Sequence, residues 1–344
     1  MRLWCQWAWL GGPQAEPSVL LDVDNDRVIT VTVGVEAPPA QAERLPGLTL
    51  SGLVNAHSHA FHRALRSRTQ AGRGSFWTWR DQMYRLAATL TPDTYRRLAT
   101  ATFAEMVSSG ITAVGEFHYL HHGPGGVPYD APNAMGDALV EAAAEAGIRL
   151  TLLDTCYLHG GIGQEPNEVQ RRFSDGSVEQ WAERARGLAP SPTVRIGAAV
   201  HSVRAVDPEA MVQVAAWAAE RGAPVHAHVS EQPAENDDCL AAYGQTPTAV
   251  MGAAGLLGER FTAVHATHLT EGDVAALGAS HVCFCPTTER DLGDGIGPAA
   301  ALVGAGARLC LGSDSHAVID LFEEARAVEL DERLAAISRG HLPA

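Results

Sequence analysis

The sequence predicts an α/β fold, a parallel (β/α)8 barrel preceded by a small β domain, on three observations. From Leu48 onward, eight short apolar runs alternate with amphipathic helical segments. Residues 1–46 alternate apolar and polar side chains between turn residues, a pattern typical of β-strands. Polar side chains suited to chemistry follow several of the apolar runs, and this barrel places its functional groups at the carboxyl ends of its strands.

Proline and glycine residues at 38–39 and 46–47 separate the two parts, so we expect a small β unit over residues 1–46 and the barrel over residues 47–344. The predicted strands of the β unit are Leu3–Leu10, Val19–Asp24 and Arg27–Val33. The predicted barrel strands are Leu48–Asn55, Ile111–Phe117, Arg149–Tyr157, Val194–Val200, Pro224–Val229, Thr262–Ala266, His281–Cys285 and Arg308–Gly312. The helical patterns between them include Pro92–Ser108, Asn133–Ala146, Pro208–Arg221, Thr270–Leu277 and Ile319–Ala336.

The composition narrows the range of functions. The formal net charge is −15, and all 25 basic residues are arginine, so nucleic-acid and anionic-membrane binding are not expected. The six cysteines are scattered without framework spacing, which predicts a reducing, cytoplasmic protein without disulfides. The Trp-rich N-terminus is too short for a membrane span and lacks a small-residue cleavage site.

Histidine pairs at two strand ends indicate a metal site. His57 and His59 are two residues apart, so they point to the same side of the first predicted strand. Two imidazoles on one face supply half of a tetrahedral site, and His228 at the end of the fifth strand could complete a set of three. His226 shares the face of His228 but lies one layer deeper, so we expect it in the core.

Three further polar residues follow barrel strands. Glu231 lies three residues after His228, where a carboxylate can reach a water molecule. His265 ends the sixth strand, and Asp314 follows the eighth. Each residue alone could be an ordinary satisfied polar group or part of a turn. Their joint occurrence at the ends of strands one, five, six and eight predicts one catalytic site.

This arrangement resembles the amidohydrolase superfamily, and in particular its one-metal aminohydrolases. The resemblance implies a metal-dependent (β/α)8 TIM barrel with His57, His59, His228 and Asp314 as ligands. Zinc suits three imidazoles and a carboxylate, and iron(II) suits the same set, so one Zn²⁺ per chain is expected with Fe²⁺ as the alternative. Binuclear members need a carboxylated lysine, which a lysine-free chain cannot supply; a cysteine or glutamate bridge is the remaining route.

Longer motifs resemble the N-formimidoyl-L-glutamate deiminases within that superfamily. They are Phe76–Arg80, Glu116–His122, His201–Val206, Val264–His268, Cys285–Glu289 and Leu292–Ile296. The resemblance implies hydrolysis of a C–N bond in a linear amidine, N-formimidoyl-L-glutamate, to N-formyl-L-glutamate and ammonia in histidine breakdown. Glu231 is the expected proton shuttle, with His265 and Asp314 as further catalytic residues, and a homodimer is the expected assembly.

A substrate with two carboxylates needs fixed cations. Arg80 and Arg204 follow strands one and four, and an arginine fork holds a carboxylate bidentately. Tyr119 and His201 can add hydrogen bonds, while Arg80 could instead stack on Trp77 or Trp79, which are expected to pack. His62 stands where the family usually has Gln and is also assigned to substrate binding.

The remaining histidines receive lesser roles. We expect His118, His121 and His122 to be polar groups of a loop, and His268 and His316 to orient the metal ligands. The family chain normally continues beyond the eighth helix to complete the small β domain, so open strand edges are expected here. Two alternatives remain at this point: an aminohydrolase of a purine, pyrimidine or pterin ring, and an inactive, truncated scaffold.

Overall fold

The computed structural model describes residues 1–25, 27–70 and 72–342, which form two compact units, Met1–Leu53 and Val54–Ala344. The first unit contains a four-stranded sheet of order β3-β2-β1-β4. Its strands are β1 (Arg2–Ala8), β2 (Glu16–Asp24), β3 (Arg27–Thr32) and β4 (Glu43–Thr49). β1 pairs antiparallel with β2 and parallel with β4 around a small core of Cys5, Ala8 and Val19. Every residue of β3 is exposed, so this strand forms an open edge.

The second unit is built on eight strands in one sheet, in sequential order. They are β5 (Leu53–Ser58), β6 (Ile111–His118), β7 (Arg149–Cys156), β8 (Val194–Val200), β9 (Val225–Val229), β10 (Phe261–His265), β11 (His281–Phe284) and β12 (Arg308–Leu311). Parallel pairing runs from β6 to β12, and a parallel bridge between Ser58 and Asp314 joins the first strand to the end of the last. The predicted α/β barrel is confirmed.

Helices follow the barrel strands. The α-helices are α1 (Phe76–Ala87), α2 (Pro92–Ser108), α3 (Ala134–Ala146), α4 (Val178–Ala185), α5 (Pro208–Arg221), α6 (Pro233–Tyr243), α7 (Pro247–Ala253), α8 (Glu271–Ala276), α9 (Pro286–Leu292), α10 (Ala299–Gly304) and α11 (Leu321–Ala336). Short 3-10 segments lie at Ala60–Leu65, Pro124–Gly126, Gln170–Arg172 and Leu277–Ala279. The local sequence sets the boundaries: α5 starts after the N-cap Asp207 and ends at Gly222, which has a left-handed backbone.

The first predicted barrel strand is wrong in its extent. The run Leu48–Asn55 is divided between β4, which belongs to the N-terminal sheet, and β5, which begins the barrel. Residues 50–52 are in neither strand, and the small residues Ser51 and Gly52 interrupt the run there. An apolar run does not reveal which sheet it joins, and this run contributes one strand to each of two sheets. The other seven barrel strands match their predicted ends to within one residue.

Close packing inside the barrel fixes the backbone beside His57, one of the predicted metal ligands. A Cβ on Gly312 would lie 2.7 Å from Cβ of His57 and 2.9 Å from Sγ of Cys285, so only glycine fits there. Below the ligands, Val264, Cys283 and Cys285 fill the barrel interior. None of the helices in the described ranges is both long enough and apolar enough to cross a membrane.

Candidate metal centre and active site

Four buried donor atoms converge at the carboxyl end of the barrel, and we call their residues the metal-site cluster: His57, His59, His228 and Asp314. Nε2 of His228 is 3.3 Å from Nε2 of His57 and 3.3 Å from Nε2 of His59. Oδ1 of Asp314 is 3.4 Å from the same two nitrogens. Two ligands at a tetrahedral angle and about 2.0–2.1 Å from zinc are about 3.3–3.4 Å apart, so these four separations fit neighbouring ligands of one metal ion.

The protonation of these imidazoles also fits a metal. Nδ1 of His59 lies 2.9 Å from the Phe117 carbonyl and Nδ1 of His228 lies 2.8 Å from the His201 carbonyl. A carbonyl only accepts, so each Nδ1 carries the proton and each Nε2 presents a lone pair to the centre. Burial lowers the pKa of His57, His59 and His228, which favours the neutral form that binds metals. Facing lone pairs at 3.3 Å need a cation between them.

Asp314 supplies the negative ligand. Burial would raise the pKa of its carboxyl, but the hydrogen bond to His57 and the charges of His57, His265 and His59 hold the pKa well below its usual range. The backbone N–H of Asp314 donates to the His57 carbonyl at 3.0 Å, and the His59 N–H donates to the Asp314 carbonyl at 3.2 Å. These two bonds fix the first and last strands of the barrel at the ligands.

The strand ends carry unusual backbone conformations. Ser230, His265, Ala266, Asp314 and His316 all have φ between 42° and 68°, a region that non-glycine residues rarely adopt. Ser230, His265 and Ala266 lie at or directly after the ends of β9 and β10, and Asp314 and His316 lie three and five residues after β12. Strain of this kind collects at functional sites, where surrounding contacts hold side chains in a required direction.

A buried hydrogen-bonded network lies behind the ligands. Nδ2 of Asn55 donates to Oγ of Ser313 at 2.7 Å, which is 2.9 Å from Nδ1 of His316. Nε2 of His316 is 3.1 Å from Oγ of Ser58, which is hydrogen-bonded in turn to Glu116. His316 therefore contacts the residue between the two histidine ligands, in agreement with its predicted orienting role.

Glu116 is a further buried residue of this site that was not predicted from the sequence. Burial raises its pKa to about 8, although bonds from Ser58 and the Ala60 N–H oppose that shift. Its place at the end of β6, a barrel strand, was the available signal. The other predicted orienting residue, His268, lies elsewhere, since its Nε2 donates to the Asp294 carbonyl at 2.7 Å.

Glu231 and His265 form a buried pair beside the metal-site cluster. Oε1 of Glu231 is 3.5 Å from Nε2 of His265, and Nδ1 of His265 is 3.3 Å from Glu289. Burial raises the pKa of Glu231 despite the nearby cations of His265 and Arg204. Burial alone would lower the pKa of His265, but Glu231, Glu289 and Asp314 raise it. The pair thus combines a proton-accepting carboxylate with a proton-donating imidazole.

One cavity of about 530 Å³ opens above these groups. It is lined by His59, His228 and Asp314 of the metal-site cluster and by Glu231 and His265. It also includes all five predicted substrate-binding residues, which are His62, Arg80, Tyr119, His201 and Arg204. The structure therefore brings the sequence-predicted site residues together at one place; His57 lies directly behind them in the barrel.

The two predicted arginines differ in their surroundings. Arg204 lies 2.9 Å from Glu235 and 3.5 Å from Glu231, so its charge is already compensated. The Arg80 guanidinium stacks 4.6 Å from the Trp77 ring centroid, and within the described ranges no carboxylate pairs with it. Its Nε atom is buried without a hydrogen-bond partner. Arg80 is thus both stacked on Trp77 and open to an anion.

His62 packs against a metal ligand. Its ring centroid is 4.5 Å from that of His59, and its Nε2 is 2.8 Å from the Tyr119 hydroxyl. Burial lowers the pKa of His62 to about 3, so the ring is neutral. Tyr119 therefore takes a defined position beside the cavity floor.

The structure places His121 and His122 in the loop after β6, as expected, whereas His118 ends β6. His118, His121 and His122 are 1%, 1% and 5% exposed, and they do not line the cavity. The backbone N–H groups of His121 and His122 both donate hydrogen bonds to the carbonyl oxygen of Arg172. His118 and His121 belong to a second buried set, which we call the arginine cluster: His118, His121, Asp154, Asp175 and Arg184.

A (β/α)8 barrel whose strand ends hold a His3Asp site beside a buried carboxylate defines a class, the metal-dependent hydrolases of this fold. A sequence profile of the amidohydrolase family matches residues 48–342. The chain belongs to the amidohydrolase family.

Individual relatives were also found. Formimidoylglutamate deiminase of Pseudomonas aeruginosa is 39% identical over 333 residues, covering 94% of this chain and 73% of the relative. A crystal structure of an amidohydrolase from Brucella melitensis superposes with a TM-score of 0.93 at 33% identity, covering 100% of this chain and 78% of that one. An atrazine chlorohydrolase from Arthrobacter aurescens, solved with zinc, has a TM-score of 0.84 at 22% identity and covers 97% and 77%; at this identity only the fold is comparable.

Proposed function

We propose that the protein hydrolyses the formimidoyl C=N bond of N-formimidoyl-L-glutamate, giving N-formyl-L-glutamate and ammonia in histidine degradation. The observation that carries the proposal is the half-buried Arg80, which lacks a carboxylate partner in the described ranges and lines the same cavity as the metal-site cluster. A half-buried guanidinium without a counterion favours an anionic ligand. The 39% identity to a formimidoylglutamate deiminase supports the same substrate.

The charges around the cavity fit the two ends of this substrate. Its formimidoyl end is an amidine, which meets the carboxylates of Glu231 and Asp314 beside the metal-site cluster. Its carboxylates meet Arg80, with Arg204, Tyr119 and His201 as further contacts around the cavity. The ring-directed aminohydrolase alternative would need stacking and amide groups in place of a free guanidinium.

A single Zn²⁺, or Fe²⁺, held by the metal-site cluster would act as a Lewis acid and activate a water molecule. Glu231 accepts a proton from that water as its oxygen bonds to the formimidoyl carbon. Glu231 then gives this proton to the terminal nitrogen. The remaining hydroxyl proton on the new C–O bond passes by way of Asp314 or Glu231 to the same nitrogen as the C–N bond breaks, and ammonia leaves. One water is consumed, and the formyl oxygen comes from it.

His265 and Asp314 complete the proton transfers. The protonated Nε2 of His265 lies 3.5 Å from Glu231 and 3.9 Å from Asp314, so it can hydrogen-bond a substrate nitrogen placed between them. The Glu289 carboxylate contacts Nδ1, the other ring nitrogen of His265, and this contact keeps Nε2 directed at the cavity. Asp314 can share the proton transfer as well as bind the metal.

The direct test measures ammonia release from N-formimidoyl-L-glutamate, with bound zinc and iron quantified on the same purified sample. We expect turnover with about one metal ion per chain. Guanine, cytosine and formamidine serve as comparison substrates. Turnover of a ring substrate without turnover of N-formimidoyl-L-glutamate would replace the proposal, and metal-free, inactive protein would favour the scaffold alternative.

Glu231→Gln tests the proton shuttle. The amide cannot accept the proton, so we expect kcat to fall by about 100- to 10,000-fold while metal content stays unchanged. Glu220→Gln is the matched control, because the Glu220 side chain is 74% exposed on α5, and it should leave kcat and metal content unchanged. Retention of most activity by E231Q would assign the proton transfer to another group. The expected homodimer and cytoplasmic location stay predictions.

A further inference from the structure

Tyr157 is a cavity residue to which no role has been assigned so far. It follows directly after β7, is 5% exposed, and lines the cavity above the metal-site cluster. Its ring lies edge-on to His201 with a centroid separation of 4.6 Å, and at 5.4 Å from Phe173. These contacts fix the ring, so its hydroxyl has one position against the cavity.

The partner of that hydroxyl is Gln170, whose amide orientation can be deduced. The backbone N–H of Asn167 donates to Oε1 of Gln170 at 3.1 Å, so this atom must be the oxygen. Nε2 of Gln170 then donates to the Tyr157 hydroxyl at 2.8 Å and to the Gly160 carbonyl at 3.1 Å. Both amide hydrogens are used, and Gln170 is 4% exposed, so the arrangement is rigid.

This arrangement leaves the Tyr157 hydroxyl as a donor. Its oxygen already accepts from Gln170, and its own proton remains for another acceptor. Burial raises the pKa of Tyr157, so the hydroxyl keeps its proton throughout the working pH range. Tyr84 is a neighbouring polar side chain that interacts with Tyr157, and a carboxylate accepts a hydrogen bond more strongly than a phenol does.

Tyr84 also lies near the Arg80 guanidinium, which has no carboxylate partner in the described ranges. The Arg80 guanidinium lies 5.5 Å from the Tyr84 ring centroid, and both residues line the cavity with Tyr157. An anion bound to Arg80 therefore reaches the side of the cavity where the Tyr157 proton is available. A neutral donor beside a guanidinium adds direction to carboxylate binding, because the guanidinium charge alone acts over a wide range of positions.

We propose that Tyr157 is a further specificity-determining residue, which donates its hydroxyl hydrogen bond to one carboxylate of the substrate, and that Gln170 is the positioning residue that turns the hydroxyl into a donor. The inference rests on the proposed function, because the carboxylate belongs to N-formimidoyl-L-glutamate. It assigns substrate selection to the loop after β7 in addition to Arg80 on α1.

Tyr157→Phe removes only the hydroxyl and tests the proposal. With metal-loaded enzyme and N-formimidoyl-L-glutamate, we expect Y157F to raise KM by about 10-fold, the size of one hydrogen bond to a charged group, with kcat within about 3-fold. Two analogues locate the contact: N-formimidoylglycine keeps only the α-carboxylate, and 4-(formimidoylamino)butanoate keeps only the distal one. For one of them the Y157F effect should shrink to less than about 2-fold.

The role of Gln170 is tested by a double-mutant cycle. Gln170→Leu should raise KM by about 3- to 10-fold in the wild-type background and have no further effect when combined with Y157F. Tyr243→Phe is the matched control, because Tyr243 does not line the cavity, and its kinetics should equal those of wild type. An additive Q170L effect would show that Gln170 acts on the fold and would overturn its positioning role.

The outcomes separate this inference from the function on which it rests. Turnover by wild type with equal KM for wild type and Y157F overturns the inference alone. A Y157F effect of equal size on all three substrates overturns it too, since no particular carboxylate would then be involved. Absence of turnover by metal-loaded wild type overturns the proposed function and this inference with it.

Discussion

The metal-site cluster and the arginine cluster contain the same kinds of side chain but differ in the source of positive charge. In the arginine cluster, the Arg184 guanidinium lies 2.8 Å from Asp154 and 2.7 Å from Asp175, so a cation is part of the chain. In the metal-site cluster, Asp314 faces imidazoles, and no arginine of the described ranges pairs with it. Buried histidines and carboxylates therefore do not define a metal site until their compensating charge is identified.

The distances separate the two clusters in the same way. Four donor pairs of the metal-site cluster are 3.3–3.4 Å apart, which suits neighbouring ligands of one ion, whereas Nδ1 of His121 is 4.0 Å from the Asp154 carboxylate. Asp154 is also saturated by donors, because Trp181 and Arg184 both donate to its Oδ1. One cluster is arranged to receive an ion, and the other is complete without one.

The largest effect is expected from Asp314→Asn. This change removes the charged ligand, so the metal content should fall well below one ion per chain and kcat/KM by at least about 1,000-fold. Metal analysis and ammonia release on the same samples measure both quantities. Asp175→Asn makes the same chemical change in the arginine cluster and should keep the metal. Full metal occupancy in D314N, or metal loss in D175N, would contradict the distinction between the clusters.

A smaller effect, on stability, is expected from Arg184→Met. Two buried carboxylates then lose their cation, which should lower the free energy of unfolding by about 3–5 kcal/mol in urea titrations. Metal content per folded chain should not change. Arg186→Met is the control, because the Arg186 side chain is 55% exposed and its loss should cost less than about 0.5 kcal/mol. Added Zn²⁺ should restore part of the stability of R184M, since the histidines and carboxylates would then lack a built-in cation.

The sequence predicts these two clusters unequally. The predicted ligands lie at or just after the carboxyl ends of barrel strands, and the fold itself brings those ends together, so their meeting could be predicted; they are His57, His59, His228 and Asp314. The arginine cluster joins Asp154 on β7 to Asp175 and Arg184, which lie in a loop and on α4, and no periodic pattern relates such positions. His118, His121 and His122 were consequently expected only as polar groups of a loop, and their burial within or against that cluster could not be predicted.

Helix and loop residues around the cavity show the same limit. The motif residues Arg80 and Arg204 could be assigned to substrate by resemblance, but only the structure shows that Glu235 pairs with Arg204 and leaves Arg80 free. Tyr157 and Gln170 escaped attention because their contact depends on how the loop after β7 returns to its strand. Pairings between loop side chains are set by tertiary packing, which local sequence does not encode.

The smallest expected effect is the pH dependence of the arginine cluster. Burial would raise the pKa of Asp175, but hydrogen bonds from His122 and Arg184 lower it well below its usual range. A lowered pKa in the folded state stabilises the protein above the unfolded-state pKa of about 3.9, and this contribution is lost as the pH falls towards the folded value. The free energy of unfolding is measured between about pH 6 and about pH 3, a range that spans the unfolded-state pKa. Over this range we expect it to fall by about 1–2 kcal/mol more in wild type than in D175N. Equal slopes would show that Asp175 contributes nothing.

The hydrogen bond between Asn55 and Ser313 joins residues that are 258 positions apart. Ribosomes add about 5–20 residues per second, so roughly 13–50 s separate the synthesis of the first histidine ligands from that of Asp314. During that interval the nascent chain carries the histidine pair, joined later by His228, without the charged donor Asp314. The four donors of the metal-site cluster can therefore meet only after the last strand has been made and has closed the barrel.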